Sequence, residues 1–232
     1  MIHYITAEHL TIARVEEILT KGYKLALSDD AKQRINHCRE YLDKKMEDVG
    51  RPIYGVTTGF GSLCNISIDK ENLSQLQKNL VMSHACGTGQ RVPKEIARLM
   101  LLLKAQSLSY GHSGVQLITV ERIIELFNNN IIPVVYEQGS LGASGDLSPL
   151  AHMCLPLLGL GEVEIDGEII SGEELMHQVV GEGAPYTDKK GGVKINTALV
   201  ELYIGHDIVC RFSNVYLFYL ESRYVVGGSS LT

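Results

Sequence analysis

The sequence lacks any cysteine pattern that is typical of a disulfide framework or a zinc site. Its five cysteines are odd in number and widely spaced, and none forms a Cys-x-x-Cys pair: Cys38, Cys64, Cys86, Cys154 and Cys210. Disulfide-rich domains need paired cysteines, and structural zinc sites need closely spaced ligands. We therefore expect free thiols in a reducing compartment and no metal site.

Long apolar runs and a surplus of positive charge are also missing. The apolar runs are far shorter than the roughly 20 residues that span a bilayer, and Met1–Ile5 contains no basic segment followed by an apolar one. A net charge of −6 argues against nucleic acid or an anionic membrane as the partner. We expect a cytoplasmic protein without signal peptide, although charge alone does not choose a substrate.

Apolar residues at helical spacing are frequent in the chain. Its 232 residues, 45% of them hydrophobic, suffice for one large domain or two small ones. Apolar residues recur at helical spacing in several stretches, and shorter extended patterns lie between them. The fold class is therefore predicted to be mainly α with minor β. Predicted helices cover much of 7–48, 71–83, 93–110, 115–127 and 149–158, with a short extended segment at 131–135 and a hairpin at 163–170.

The segment Gly139–Pro149 is rich in glycine and serine and admits several interpretations. The plainest is a turn that caps a helix, with Asp146 near the helix N-terminus. A serine-hydrolase elbow requires Gly-x-Ser-x-Gly, and this motif fails because Gly145 directly follows Ser144. A phosphate-binding loop fails as well, because no Gly-Lys-Ser/Thr occurs.

Autocatalytic cyclisation of Ala143-Ser144-Gly145 is the third interpretation. The amide nitrogen of Gly145 would attack the carbonyl carbon of Ala143, and loss of water would close a five-membered ring. Dehydration of Ser144 would leave an exocyclic methylene. Glycine supplies an unhindered nitrogen, alanine fits inside the bend, and serine provides the hydroxyl that is lost. Such a bend stores strain that the surrounding scaffold must impose.

Four segments together resemble one enzyme family. Gly139–Ala151 closely resembles the signature of the aromatic amino acid ammonia-lyases, especially their histidine-specific members. Tyr54–Gly61 is similar to the family's tyrosine loop, Asn79–His84 to its substrate-side helix end, and Ser107–Gly114 to its buried helix break. The order and spacing also agree. The resemblance implies the N-terminal part of a fumarase/aspartase-like helical fold, with short β hairpins around the loop.

The resemblance implies a cofactor and a reaction. The cofactor is 4-methylideneimidazole-5-one (MIO), formed from Ala143, Ser144 and Gly145. Its methylene captures the substrate, a base removes the β-proton, and ammonia leaves, which converts L-histidine to urocanate. Tyr54 matches the base, and because an ordinary tyrosine is protonated at neutral pH, the site must favour its phenolate. A homotetramer is also implied.

Further residues receive roles by the same resemblance. His84 and Gly61 match substrate-binding positions, and a histidine at 84 would offer a polar partner to an imidazole. Asp146 would support the bend, either by shaping it or as a plain helix cap. His112 and His152 have no metal-ligand spacing with each other or with His84, and they are interpreted as structural.

The resemblance weakens after about residue 175. Family members are much longer chains, and here Asn196–Leu199 lacks their Asn-Gly-Thr segment. We therefore predict an MIO-containing N-terminal lyase domain over 1–175 and a divergent tail over 176–232, as in a truncated or frameshifted gene product. The alternatives are a tyrosine or phenylalanine ammonia-lyase, an aminomutase of the same fold, or an inactive fragment.

Overall fold

The computed structural model describes residues 1–48, Thr58, 73–141 and 145–180. Within these ranges helices predominate, and this confirms the predicted fold class. The helices predicted around 71–83, 93–110 and 115–127 are confirmed, with ends shifted by one or two residues. The described helices are α1 (Ile12–Thr20), α2 (Asp29–Asp48), α3 (Leu73–His84), α4 (Lys94–Leu108), α5 (Leu117–Asn128), α6 (Ser148–Cys154) and α7 (Gly172–Val180).

Short strands form three small sheets between the helices. The first sheet is parallel and the other two are antiparallel. The predicted hairpin around 163–170 is confirmed, because Asp166 and Gly167 both adopt positive φ (51° and 88°), as a tight two-residue hairpin turn requires. The sheets pair β1 (Ile2–Ile5) with β2 (Lys24–Leu27), β3 (Thr88–Arg91) with β5 (Tyr136–Gln138), and β4 (Ile132–Pro133) with β6 (Glu162–Ile165) and β7 (Glu168–Ser171).

The prediction of helix over most of 7–48 was wrong at its centre. Gly22, whose φ is 64°, lies just after α1. The chain then forms strand β2 where the prediction had helix. The edge of β2 is bound by α5: the N–H of Leu25 donates to Asn128 Oδ1 (2.7 Å), and Asn128 Nδ2 donates to the Leu25 carbonyl (2.9 Å). Long-range pairing therefore overrides the local helical pattern.

The core lies where α5 packs against α4 and against β2. Its fully buried side chains include Leu101, Ile123 and Phe127. A second contact joins α3 to α6. The residues that follow α3 meet the start of α6, because Gly87 lies against Ser148 and His152.

Candidate active site

One carboxylate holds both ends of the segment that precedes α6. Asp146 Oδ1 accepts hydrogen bonds from the N–H of Ser140 (2.8 Å), from the Ser140 hydroxyl (3.2 Å) and from the N–H of Ser148 (3.0 Å). Leu147 occupies the cap position of α6, so Asp146 lies one residue before a plain N-cap and still binds the first helical amide. The Asp146 carboxylate thereby joins the backbone of Ser140 to that of Ser148, and this closure by Asp146 is called the bend below.

Two glycines make this bend possible. A Cβ added at Gly139 would overlap both carboxylate oxygens of Asp146, so only glycine lets the carboxylate lie against the backbone there. Gly145 has a φ of 84°, which is in the left-handed region that side chains disfavour. The bend therefore depends on glycine at 139 for space and at 145 for backbone conformation.

Several predicted site residues lie outside the described part of the chain. Tyr54, Gly61, Ala143 and Ser144 are in this group. Gly145 and Asp146 are described, and both are partly buried at the start of α6. The predicted roles of all six residues stay predictions.

His84 ends α3 with its ring orientation fixed. Its Nδ1 lies 2.7 Å from the Leu80 carbonyl oxygen and 3.1 Å from Ser83 Oγ, and the Ser83 hydroxyl donates to the same carbonyl (2.9 Å). A carbonyl only accepts, so Nδ1 carries the proton and, in the neutral ring, Nε2 is the acceptor. The site thus offers an imidazole of defined tautomer at the end of α3.

The chain after α3 docks on α6 through a histidine that sequence reasoning left as structural. The N–H of Gly87 donates to His152 Nε2 (2.9 Å), and the His152 ring meets the Tyr136 ring edge-on at 5.2 Å. Burial lowers the pKa of His152. One signal in the sequence was informative: Ser148 and His152 are four residues apart, which places both on one face of α6 beside the bend.

The described ranges contain neither a cluster of metal-ligand side chains nor a helix suited to span a membrane. No three histidine, cysteine, aspartate or glutamate side chains among these residues lie close enough to hold a metal ion. Likewise, no helix in this part of the chain is both long and apolar enough to cross a bilayer. Cys38, Cys86 and Cys154, the described cysteines, are free thiols.

Comparison with known proteins gives consistent matches. The model of the family described as "Aromatic amino acid lyase" matches residues 10–200. A histidine ammonia-lyase of Caldanaerobacter subterraneus subsp. tengcongensis is 44% identical over 201 residues, which are 87% of this chain and 39% of that protein. The chain thus spans well under half the length of this relative.

Solved structures agree with the sequence match. The crystal structure of histidine ammonia-lyase from Trypanosoma cruzi superposes with a TM-score of 0.69 at 32% identity, over 86% of this chain and 38% of that one. Tyrosine aminomutase from Streptomyces globisporus gives a TM-score of 0.69 at 31% identity, over 84% and 36%. The expected helical fold is therefore confirmed. Since the family match also covers most of the sequence, this chain belongs to the aromatic amino acid lyase family.

Proposed function

We propose that this chain supplies the MIO-forming part of a histidine ammonia-lyase, which eliminates ammonia from L-histidine to give urocanate. The observation that carries the proposal is the bend before α6, where the Asp146 carboxylate ties Ser140 to Ser148 against Gly139. The similarity to the Caldanaerobacter histidine ammonia-lyase supports the choice of substrate.

The described residues of the bend fit the cofactor. Ring closure joins the Gly145 nitrogen to the Ala143 carbonyl carbon, which requires a compressed backbone at that point. The left-handed φ of Gly145 and the closure of the segment by Asp146 both favour such compression. Ala143, Ser144 and Gly145 would form the ring with loss of two waters. Once formed, the ring supplies an electrophile that ordinary side chains do not provide.

The remaining roles rest on the family resemblance and, for the described residues, on what their side chains can do. Tyr54 acts as the base that removes the β-proton, and Gly61 lies against the substrate; both roles rest on family resemblance. His84 contacts the substrate imidazole from the end of α3, where its own Nδ1 faces the Leu80 carbonyl. Asp146 keeps the bend in place, because it pairs backbone donors at both ends.

The mass of the purified chain is the direct test of the cofactor. Ring formation lowers the intact mass by two waters, whereas the Ser144→Ala variant can lose at most the one water of ring closure, because it has no side-chain hydroxyl to eliminate. A wild-type chain with unshifted mass would support the inactive-fragment alternative. Lyase activity in Ser144→Ala would refute the mechanism outright.

Product identity tests the substrate. Incubation with L-histidine should produce urocanate, while L-tyrosine and L-phenylalanine should give little coumarate or cinnamate. A tyrosine-specific enzyme or an aminomutase is the second candidate, because the structure of a tyrosine aminomutase matches this fold as well as the histidine enzyme does. Coumarate or a β-amino acid as the main product would favour it.

The assembly and the remaining boundaries belong to the same proposal. We infer a homotetrameric cytoplasmic enzyme whose lyase domain covers 1–175, followed by a divergent tail over 176–232. The described helix α7 spans residue 175, and residues 181–232 lie outside the described ranges. Light scattering of the purified protein measures the oligomeric state, and a monomer that turns over histidine would contradict the tetramer.

A further inference from the structure

Gly87, Ser148 and His152 form a junction between the end of α3 and the start of α6. A Cβ added at Gly87 would lie 3.0 Å from His152 Nε2 and 3.0 Å from Ser148 Oγ. Ser148 is fully buried and the backbone of Gly87 is partly buried. The two chain segments therefore approach as closely as a glycine permits.

The polarity of the hydrogen bond fixes the state of the imidazole. The N–H of Gly87 can only donate, so His152 Nε2 must be the unprotonated acceptor. The neutral ring then carries its proton on Nδ1. Replacing the ring by an apolar side chain would leave the Gly87 N–H in partly buried surroundings without its acceptor, which is costly.

The junction is rigidly connected to the residues on either side. Towards α3, the N–H of Cys86 donates to the His84 carbonyl (2.9 Å), and the N–H of Ala85 donates to the Val81 carbonyl (3.1 Å). A shift of Gly87 is therefore passed to His84 through a tight turn. Towards the loop, His152 lies one helical turn after Ser148, whose N–H is bound by Asp146.

We propose that His152 is a positioning residue that fixes the substrate-contacting end of α3 relative to the MIO-forming loop. It acts through Gly87 and does not touch the substrate. The inference rests on the proposed function, since His84 and the loop are the two parts that it joins. We therefore expect that loss of the His152 acceptor weakens substrate binding without preventing ring formation.

The test compares two replacements of similar size. His152→Gln can place its side-chain carbonyl near the former Nε2 position and accept from Gly87, whereas His152→Leu fills space without an acceptor. We expect His152→Leu to raise KM for L-histidine by roughly tenfold, the effect of one unpaired buried donor, with a smaller change in kcat. His152→Gln should restore KM to near the wild-type value, and both variants should keep the two-water mass loss.

Backbone hydrogen exchange gives a readout that needs no turnover. Peptides that contain Gly87 should exchange faster in His152→Leu than in the wild type, and His152→Gln should restore the protection. Gly87→Ala is a second variant: it keeps His152 but presses a methyl group on the ring, so it should reproduce the KM defect. Gly22→Ala is the control for general backbone strain away from the junction, because its φ of 64° disfavours a side chain although no heavy atom lies within 4 Å of the added Cβ.

The outcomes separate this proposal from the enzyme assignment. The positioning role would be overturned if peptides that contain Gly87 exchanged in His152→Leu at the wild-type rate. It would also be overturned if the KM of His152→Gln were as high as that of His152→Leu. Equal KM values in all variants, with lower thermal stability alone, would make His152 merely structural and also overturn it. An unshifted wild-type mass would instead contradict the proposed function, and the exchange comparison would still decide the coupling.

Discussion

At the scale of single residues, the bend before α6 depends on one carboxylate and the glycine that makes room for it. Asp146 Oδ1 accepts two exposed hydrogen bonds from Ser140 and a partly buried one from Ser148, so a single side chain restrains both ends of a short segment. Gly139 contributes because it has no side chain: a methyl group there would occupy the space of the Asp146 carboxylate oxygens. Neither contribution can be replaced by a larger or apolar residue.

Gly139→Ala should therefore disturb the bend. The added methyl displaces Asp146 and weakens its bonds to Ser140 and Ser148, for a loss of about 1–3 kcal/mol, and the cyclised fraction should fall. Urea denaturation measures the first effect and intact mass the second. Gly172→Ala is the matched control, because its Cβ overlaps the Leu160 carbonyl far along the chain. If both variants lose the ring equally, general instability is the cause and the specific role of Gly139 is wrong.

The described cysteines should differ sharply in reactivity. Cys86 is exposed, whereas burial raises the pKa of the Cys154 thiol to about 11, against a smaller opposing effect of Lys104. The thiolate is the reactive form. Iodoacetamide at neutral pH should modify Cys86 in the folded protein and reach Cys154 only after urea unfolding, as followed by peptide mass spectrometry. Modification of both at one rate in the native state would contradict the buried placement, and Cys86→Ser identifies the peptide signal.

At the scale of elements, local signals predicted those structures that depend on local physics. Helices α4 and α5 follow from apolar periodicity, and the β6–β7 hairpin follows from the Asp166-Gly167 turn. The parallel β1–β2 pair was missed because each strand is four residues long and its partner is distant in sequence. For the same reason the contact between His152 and Gly87 was not predicted: the two residues are 65 positions apart.

Asn128 offers a test of how β2 is held. Asn128→Ala removes the donor and the acceptor that pair with the buried Leu25 backbone, so we expect a loss of about 2–4 kcal/mol in the free energy of unfolding. Asn129→Ala is the matched control, since among the described residues its side chain donates only to the exposed Glu125 carbonyl. Urea denaturation of both variants measures the difference. Equal losses would show that the Leu25 bonds contribute little.

At the scale of the whole molecule, long-range hydrogen bonds tie the N-terminal region to α4 and its C-terminal end. Gln106 Nε2 donates to the Thr6 carbonyl, and Arg34 Nε donates to the Ser109 carbonyl. The region before residue 48 therefore shares its stability with α4, one of the two helices that form the core. If the described ranges unfold together, protonation of a group in either region should shift the same unfolding transition.

Acid should lower the free energy of unfolding in two stages. Burial lowers the pKa of His152, and burial together with the Arg14 charge lowers the pKa of His3, both below 6.5. Below about pH 6.5 the unfolded chain therefore binds protons first, and stability falls with pH until the folded histidines titrate as well. Hydrogen bonds from Lys21 and Arg14 lower the pKa of Glu17 from 4.5 to about 2, so its contribution is present above pH 4.5 and is lost towards pH 2.

The first stage can be assigned with a double variant. In His3→Gln/His152→Gln the side chains at both positions no longer titrate, so the urea midpoint should change less between about pH 7 and about pH 5 than in the wild type. The second stage should persist in this variant and weaken in Glu17→Gln, because that carboxylate is removed. An unchanged slope in the double variant would mean that other groups bind the protons, since only a group whose pKa differs between the folded and unfolded chain can produce the slope.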